Sequence, residues 1–303
     1  MKKFHLLLSL LILFTISCNN DNHKQGFVAI NGFSDKANEE LKLFFEKHKN
    51  TKSRKIAVFD GDGTVMGQTP HYLADECMYQ YAKENPDWNS DIIDTITQRS
   101  NVSTPYVQFR VKYIAGKSLQ FYRDLGEKTF NKYYKHKIFQ PVKQLIAILK
   151  NNDFEVWIVT ASPEGMYQQF LSKEFNIPIT NIIGVKSVIK NGIITNKMVH
   201  PIPQDKGKME AIETFIQDKP LLVAGNSRGD KEMIEFSSEL KIIVNPDEHI
   251  AEGQQQSIAD YAREEKWLII KINDTPDSNF PSISSNAFGI RLNKTRKHDQ
   301  SDK

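Results

Sequence analysis

The sequence predicts an α/β protein built on an open parallel sheet. Three short and mainly apolar runs support this prediction, at Ile56–Phe59, Phe154–Val159 and Leu221–Ala224, and helical patterns lie between them. Apolar runs of about four to eight residues that end in turn residues are typical of strands buried on both faces. Ligands bind such sheets beyond the carboxyl ends of the strands. The polar residues that follow each run are therefore the candidate functional residues.

Length and charge limit the class of protein. The chain has 303 residues and a net charge of +3 at pH 7. This length suffices for one large domain or for a domain that carries an insertion. The charge is too small to indicate nucleic-acid binding, and no basic patch with interleaved aromatic residues stands out. We therefore expect no nucleic-acid partner.

The N-terminal residues differ from the rest of the chain. A basic start, Met1–Lys3, precedes the mostly apolar segment Phe4–Ile16, and Cys18 follows. This pattern predicts a secretory signal over residues 1–17, because the apolar segment is too short for a settled transmembrane helix. The cysteine resembles a bacterial lipoprotein processing site, which implies a lipid on Cys18 and a polar tether over residues 18–33.

A lipid on Cys18 would anchor the exported protein to a bacterial membrane, in the periplasm or at the cell surface. Two alternatives are cleavage of the signal without lipidation and a plain membrane anchor. Each of the three predicts a different distribution of the protein between membrane and solution.

Two carboxylates follow the first apolar run directly. Asp60 and Asp62 are separated by one glycine, and Gly63 and Thr64 come next. Side chains two positions apart in an extended segment share a face, so the two acids repel each other unless something offsets their charges. A Mg²⁺ ion with oxygen ligands is one solution. The other is a proton on one acid, which then serves as a general acid.

The segment Phe59–Thr64 resembles the first motif of the haloacid dehalogenase superfamily of phosphohydrolases, Asp-x-Asp-x-Thr after a hydrophobic strand. The resemblance implies a Rossmann-like parallel sheet with helices on both faces. It implies that Asp60 is the catalytic nucleophile and that Asp62 is the general acid and base. It also implies that the Asp60 side chain and the Asp62 backbone carbonyl bind Mg²⁺.

Residues 66–139 have a different character. They are rich in aromatic residues, charges and helix formers, and Pro70, Pro86 and Pro105 interrupt them. No strand-like apolar run occurs in this stretch, so we predict an all-helical cap inserted after the first strand. A helical insertion at this point resembles the phosphoserine phosphatase branch of the superfamily, and such a lid can exclude water and select substrate.

The remaining boundaries follow from the cap. The core is predicted over residues 34–65 and 140–273. Asn191-Gly192, between two β-rich runs, predicts a hairpin, and phosphoserine phosphatase relatives carry a similar one. Residues 274–303 are rich in Ser, Asn, Asp and Lys and are predicted to form a flexible C-terminal tail.

The cap offers two kinds of substrate contact. Most of its aromatic residues are expected in its own core, but a few could enclose a quaternary amine such as choline, because cations are attracted to aromatic faces. Three arginines, Arg99, Arg110 and Arg123, could bind a substrate carboxylate through paired hydrogen bonds. The ordinary alternative for each arginine is a solvated surface position.

The second apolar run leads into a turn suited to phosphate. Thr160 and Ala161 follow the strand, and Pro163 precedes a helical pattern. The hydroxyl and the free backbone amides of such a turn can donate to a phosphate. The position matches the second motif of the resembling family, which implies that Thr160 and Ala161 hold the transferring phosphoryl group.

A lysine is expected beside the acids. The family's third motif is a lysine near a helix start that pairs with the nucleophile and the phosphate. Lys206 resembles its position in phosphoserine phosphatases, and Lys208 is the alternative. An ammonium there would offset the repulsion between the acids and stabilise the charge that develops during transfer.

The third apolar run leads to a variant of the fourth motif. Asn226 stands where the family usually has an aspartate, and Asp230 follows four residues later. Asparagine can still offer a carbonyl oxygen to Mg²⁺, but it removes one negative charge, so the affinity for the metal should fall. We expect Asn226 to bind the ion directly, with Asp230 beside it or linked through water.

These patterns together predict a Mg²⁺-dependent phosphomonoesterase that acts on a small phosphate ester through an aspartyl-phosphate. An amino-alcohol phosphate such as phosphoserine or phosphocholine fits the cap type by analogy. A catalytically weak protein that only binds a phosphorylated ligand is one alternative, which Asn226 favours. A phosphotransferase that uses the same intermediate is another. Dehalogenation is disfavoured, because a halide leaving group needs no proton from Asp62.

Overall fold

The computed structural model describes residues 26–96, 99–250 and 253–274. Its main sheet has six parallel strands in the order β3-β2-β1-β6-β7-β8, and a hairpin of β4 and β5 lies outside it. The strands are β1 (Lys55–Phe59), β2 (Phe154–Pro163), β3 (Ile182–Val185), β4 (Ser187–Lys190), β5 (Ile193–Met198), β6 (Leu222–Gly225), β7 (Leu240–Val244) and β8 (Leu268–Ile270). Because β1 lies between β2 and β6, the residues that follow these three strands meet at the same edge.

Ten α-helices accompany the strands in the described part of the chain. They are α1 (Asp35–His48), α2 (Leu73–Glu84), α3 (Ser90–Ile96), α4 (Thr104–Tyr113), α5 (Leu119–Thr129), α6 (Gln140–Asn151), α7 (Glu164–Phe175), α8 (Lys206–Ala211), α9 (Lys231–Glu235) and α10 (Ile258–Glu264). Their starts follow from local chemistry. Ser34 and Ser118 cap α1 and α5 through backbone N–H groups of the first turn, and Pro141 lies in the first turn of α6.

Both faces of the sheet are buried. Ala57 and Phe59 of β1 belong to one hydrophobic core, which includes side chains of α1, α6 and α7. Ile56 and Val58 point to the other face, where they pack with side chains of α8, α9 and α10. The two sets alternate along the strand, as expected for a strand covered on both sides. The prediction of a parallel sheet with helices on both faces is confirmed.

The cap consists of helices α2 to α5, inserted between β1 and α6. Its two connections to the core pair with each other, because Met66 bridges to Ile138 in antiparallel fashion. The last cap helix lies directly on the core helix α7. A Cβ atom at Gly126 of α5 would lie only 2.0 Å from the carbonyl oxygen of Met166, so the close approach of these helices depends on a glycine.

Two predicted boundaries need correction, and one strand was not predicted. The tether predicted through residue 33 ends earlier, because Ile30 and Phe33 are only 1% and 8% exposed and belong to the hydrophobic core. The predicted tail starts too early, because its first residue, Asp274, accepts hydrogen bonds from the backbone of Gln68 and Thr69 at the base of the cap. Strand β3 was not predicted, because its four residues include a glycine and lie next to the hairpin.

Other predictions about the termini lie outside the described residues. These are the secretory signal over residues 1–17, the lipid on Cys18, the first part of the tether and the tail from residue 275 onward. Within the described ranges, no helix combines the length and the apolar character needed to cross a bilayer.

Candidate active site

Asp60 occupies the middle of the site, directly after β1. Its backbone N–H donates to the carbonyl of Ala224 on β6 over 2.9 Å, which fixes the residue between two strands. The side chain is buried, and its Oδ1 accepts a 2.5 Å hydrogen bond from Nζ of Lys208. Burial raises the pKa of Asp60 to about 7, the nearby Asp230 adds to the rise, and Lys208 opposes it. A single ammonium therefore does not fully offset the cost of burying this carboxylate.

Lys208 joins Asp60 to Asp230. Its Nζ also donates to Oδ1 of Asp230 over 2.5 Å, and the lysine side chain is only 6% exposed. Burial acts to lower the pKa of Lys208, but the two carboxylates outweigh it and raise the pKa above its ordinary value. The lysine therefore keeps its positive charge beside Asp60.

The choice of Lys206 as the motif lysine is corrected by this geometry. Lys206 is the first residue of α8, its side chain is 69% exposed, and its Nζ lies 3.2 Å from Glu210. Two residues along a helix correspond to a rotation of about 200°. Because Lys208 faces the acids, Lys206 faces solvent, and the alternative Lys208 takes the predicted position.

Asp230 holds the loop after β6. Its Oδ2 accepts hydrogen bonds from the backbone N–H groups of Asn226 and Ser227, at 3.0 and 2.8 Å, and from Oγ of Ser227 at 2.9 Å. Burial favours the neutral acid, but Lys208 and these donors hold the pKa of Asp230 below its ordinary value. Four protein donors thus already engage the Asp230 carboxylate. Its predicted role as a metal ligand stays a prediction.

Asp62 is held by hydroxyl groups. Oγ of Ser162 donates to Oδ2 of Asp62 over 2.7 Å, and the hydroxyl of Tyr167 lies 2.9 Å from both carboxylate oxygens. Burial raises the pKa of Asp62, whereas the hydrogen bonds from Ser162 and Tyr167 lower it. The two neighbouring acids therefore have different environments, which is the usual basis for giving two carboxylates different chemical roles.

Thr160 and Ala161 lie beside the acids, but within β2 and not in the predicted turn after it. Oγ1 of Thr160 accepts a 3.1 Å hydrogen bond from the backbone N–H of Ser162, so its own O–H can donate to a ligand. Both residues line the cavity above Asp60. The carbonyl oxygen of Ala161 accepts a 3.1 Å hydrogen bond from Arg110 of the cap.

The side-chain amide of Asn226 faces both acids. One end lies 3.2 Å from Oδ2 of Asp60 and 3.3 Å from the backbone carbonyl of Asp62, and the other end lies 3.2 Å from Nε2 of Gln68. With its nitrogen toward the acids, the amide donates hydrogen bonds to both. With its oxygen toward them, three oxygens converge, an arrangement that a hard cation such as Mg²⁺ stabilises. The Asp60 side chain, the Asp62 carbonyl and the Asn226 amide therefore fit the ligand set of a magnesium site.

No cluster of three or more His, Cys, Asp or Glu side chains suited to a metal occurs among the described residues. This finding agrees with the donor set just described, in which a backbone carbonyl and an amide stand beside one carboxylate. Such a set places little negative charge on the ion, so it is expected to bind Mg²⁺ weakly in the absence of a phosphate.

A cavity of about 280 Å³ lies between the sheet edge and the cap. Its size suits a small phosphate ester. Its lining residues are Asp60, Asp62, Gln68, Tyr72, Ser100, Asn101, Val102, Val107, Arg110, Thr160, Ala161, Ser162, Gln204, Asp205, Lys208, Asn226, Ser227, Arg228 and Gly229. Core and cap thus both contribute to the enclosure.

Of the three arginines considered in the cap, Arg110 alone lines this cavity. It is buried, and one guanidinium nitrogen donates to Oδ1 of Asp75 over 3.0 Å. Tyr106 donates to the same oxygen, also over 3.0 Å. Arg99 lies over the ring of Phe109 instead. Arg110 thus ties a buried ion pair of the cap to Ala161 near the end of β2.

The aromatic cage considered for a quaternary amine is filled by the protein itself. Nζ of Lys117 lies 3.7 Å from the ring centre of Trp88, and the rings of Tyr81 and Phe121 are within 5.8 Å of it. Tyr72 is the one aromatic residue among the described residues that line the cavity. The cap aromatics therefore do not form a cage for choline at the cavity.

Ser162 and Tyr167 are site residues that the sequence did not reveal. Ser162 was visible in the turn after the second apolar run, but no spacing rule connected it to Asp62. Tyr167 lies in the first turns of α7 and is fully buried, so its pattern is that of an ordinary core residue. Their proximity to Asp62 depends on how α7 packs, which the local sequence does not encode.

The chain is similar in sequence to known hydrolases. A family model described as haloacid dehalogenase-like hydrolase matches residues 57–235. A Mycobacterium leprae protein named as a candidate hydrolase is 25% identical over 162 residues, which are 52% of this chain and 50% of that protein. The chain thus spans about half the length of this curated relative.

Two solved structures share the fold. A functionally unknown protein from Anaerococcus prevotii matches with a TM-score of 0.61 and 14% identity, over 82% of this chain and 98% of its own. A protein of unknown function from Bordetella pertussis matches with a TM-score of 0.57 and 14% identity, over 72% and 99% of the two chains. At this level of identity the similarity concerns the fold alone.

Proposed function

The chain belongs to the haloacid dehalogenase-like hydrolase family, and from that premise we propose that it hydrolyses small phosphate monoesters. The observation that carries the proposal is the buried contact of Asp60 with Lys208 below the cavity, with Asp62 and Thr160 beside it. In this proposal Asp60 is the nucleophile, Asp62 carries the proton, and Lys208 and Thr160 bind the phosphate. Such placement and electrostatic stabilisation account for most of the catalysis of phosphoryl transfer.

The first step transfers the phosphoryl group to the protein. A carboxylate oxygen of Asp60 forms a bond to phosphorus while the bond from phosphorus to the leaving oxygen breaks. Asp62 in its protonated form gives its proton to that oxygen, and an alcohol leaves. Lys208 and Thr160 bind the phosphoryl oxygens.

The second step restores the protein. A water molecule attacks phosphorus, Asp62 accepts its proton, and the bond between phosphorus and Asp60 breaks to release inorganic phosphate. The residues that would hold Mg²⁺ are Asp60, Asp62 through its carbonyl, and Asn226. When bound, the ion would neutralise part of the charge on the phosphoryl oxygens and on Asp60.

The test is release of inorganic phosphate by the purified protein, with and without Mg²⁺. The substrates include an aryl phosphate and the amino-alcohol phosphates phosphoserine and phosphocholine, which represent the finer substrate proposal. Asp60→Asn is expected to lower turnover by at least about 100-fold, because an amide is a poor nucleophile. Its thermal unfolding checks that the fold persists. Unchanged turnover in this variant would refute the role of Asp60.

A phospho-ligand binding protein is the second candidate function, and Asn226 favours it. Its amide nitrogen can donate to the Asp60 carboxylate and to the backbone carbonyl of Asp62 without a metal, which suits a site that binds without turnover. The same assay separates the two functions. Binding of a phosphate ester without release of phosphate, in wild-type protein saturated with Mg²⁺, supports the binding protein.

A further inference from the structure

The two acids of the site are held in different ways. Asp60 contacts an ammonium, whereas the partners of Asp62 are the hydroxyls of Ser162 and Tyr167. Within the described ranges, no lysine or arginine forms an ion pair with Asp62. An ammonium can only donate hydrogen bonds, but a hydroxyl can donate to a carboxylate and accept from a carboxylic acid. Hydroxyl partners can therefore hold Asp62 in one orientation whether or not it carries a proton.

Both hydroxyls come from rigid parts of the core. Ser162 belongs to the last residues of β2, and its N–H is fixed on Oγ1 of Thr160. Tyr167 belongs to α7, its side chain is fully buried, and its ring lies 5.1 Å from that of Phe170. Side chains fixed by packing on helices and strands orient a functional group better than mobile ones do.

The contacts restrict rotation of the Asp62 carboxyl group. The Tyr167 hydroxyl is 2.9 Å from each carboxylate oxygen, so it lies between them, and Ser162 contacts Oδ2 over 2.7 Å. Turning the carboxyl group about its bond to Cβ would break at least one of these contacts. Because both residues are buried, water cannot easily replace the lost hydrogen bond.

We propose that Ser162 and Tyr167 are positioning residues that aim the carboxyl group of Asp62 at the leaving oxygen of the substrate. This assignment rests on the proposed function, because it assumes that Asp62 exchanges a proton there. It requires no contact between either hydroxyl and the substrate. The rate of phosphoryl transfer from a substrate should therefore depend on Tyr167 more strongly when its leaving group needs a proton.

The experiment compares two esters in wild type and Tyr167→Phe. An alkyl phosphate needs a proton on its leaving alkoxide, whereas 2,4-dinitrophenyl phosphate releases a stable phenolate without one. For the alkyl ester, kcat is expected to fall about 30-fold or more in the variant, within the range for general acid catalysis, with KM within about threefold. For the activated ester, the pre-steady-state burst of dinitrophenolate is expected to keep its rate, because Asp60 still attacks. Its steady-state rate falls, because Asp62 must later activate water.

Tyr113→Phe is the matched control. Tyr113 is also buried, and its hydroxyl has no hydrogen-bond partner among the described residues. This variant also loses one tyrosine hydroxyl, but that hydroxyl does not contact Asp62, so the variant should keep wild-type kinetics. Ser162→Ala is a second test variant, in which a smaller loss with the same pattern is expected because Tyr167 still contacts both oxygens.

Two results would overturn the assignment of Ser162 and Tyr167 without overturning the proposed function. One is wild-type kinetics of Tyr167→Phe on the alkyl ester. The other is an equal loss in the alkyl turnover and in the dinitrophenolate burst, since a general disturbance of the site would slow both. A wild-type protein that turns over neither ester, with Mg²⁺ present, would overturn the proposed function and this assignment with it.

Discussion

At the scale of single residues, Asn226 distinguishes this site from the pattern that its sequence resembles. Its amide lies against Asp60, the carbonyl of Asp62 and Asp230, where another carboxylate would add to the repulsion unless a cation were present. The asparagine therefore lets the site exist without metal more easily than an aspartate would. The corresponding loss is one negative charge in the donor set for Mg²⁺.

Asn226→Asp should make the protein less stable without metal and increase its affinity for Mg²⁺. In EDTA its melting temperature is expected to fall below that of wild type, because three buried carboxylates then share one lysine. Its dissociation constant for Mg²⁺, measured by calorimetry, is expected to be roughly tenfold lower, since ligand charge tunes the affinity of such sites.

Asn196→Asp is the control for this exchange, because it adds the same charge at an exposed position of β5. It should change neither the melting temperature in EDTA nor the dissociation constant for Mg²⁺. Equal Mg²⁺ affinity of wild type and Asn226→Asp would show that residue 226 is not a ligand.

The sequence predicted most of these residues because strand ends converge. Asp60 and Asn226 follow β1 and β6, and Thr160 lies near the end of β2. Because these strands are neighbours in the sheet, a motif near each strand end was enough to bring the three residues together. The lysine could not be predicted in the same way. The choice between Lys206 and Lys208 depends on the residue at which α8 begins and on its rotation, and neither is visible in the sequence.

At the scale of elements, contact between α5 and α7 joins the cap to the core. Glycine at position 126 lets the two helices approach until a Cβ there would overlap the backbone of Met166. The helix α7 also carries Tyr167, which holds Asp62. Packing of the cap against α7 is therefore connected to the orientation of Asp62.

Gly126→Ala should destabilise the protein by about 1–3 kcal/mol, the usual cost of overpacking a close contact. The sign of the change in stability is informative, because alanine is the better helix former by about 1 kcal/mol and would otherwise stabilise α5. Chemical denaturation measures the change. Gly26→Ala is the control, since a Cβ at that position meets nothing within 4 Å. Equal or greater stability of Gly126→Ala would contradict the close approach.

Helices and strands could be predicted where local sequence signals determine their structure. The hairpin around Asn191-Gly192 depends on a local turn signal and was predicted. The strand β3 was not, because a strand of four residues becomes recognisable only through its partner β2. The short helices α9 and α10 likewise depend on burial against the sheet.

At the scale of the whole molecule, the N-terminal pattern predicts attachment to a membrane through Cys18. When the full chain is expressed in a bacterium, Cys18→Ala should move the protein out of the membrane fraction and abolish incorporation of labelled palmitate. Cys77→Ala is the control, because Cys77 is buried and burial raises the pKa of its thiol to about 12. A Cys18→Ala protein that stays in the membrane fraction would favour a plain membrane anchor.

Asp274 has a consequence for how substrate can enter and leave. Its carboxylate holds the backbone of Gln68 and Thr69 on one connection to the cap and forms a 2.8 Å ion pair with Lys137 on the other. Both connections are thus fastened at one point, just below the cavity to which Gln68 contributes. A cap that moved away from the core would have to break these contacts or turn about them, so Asp274 restrains access to a nucleophile more than two hundred positions before it.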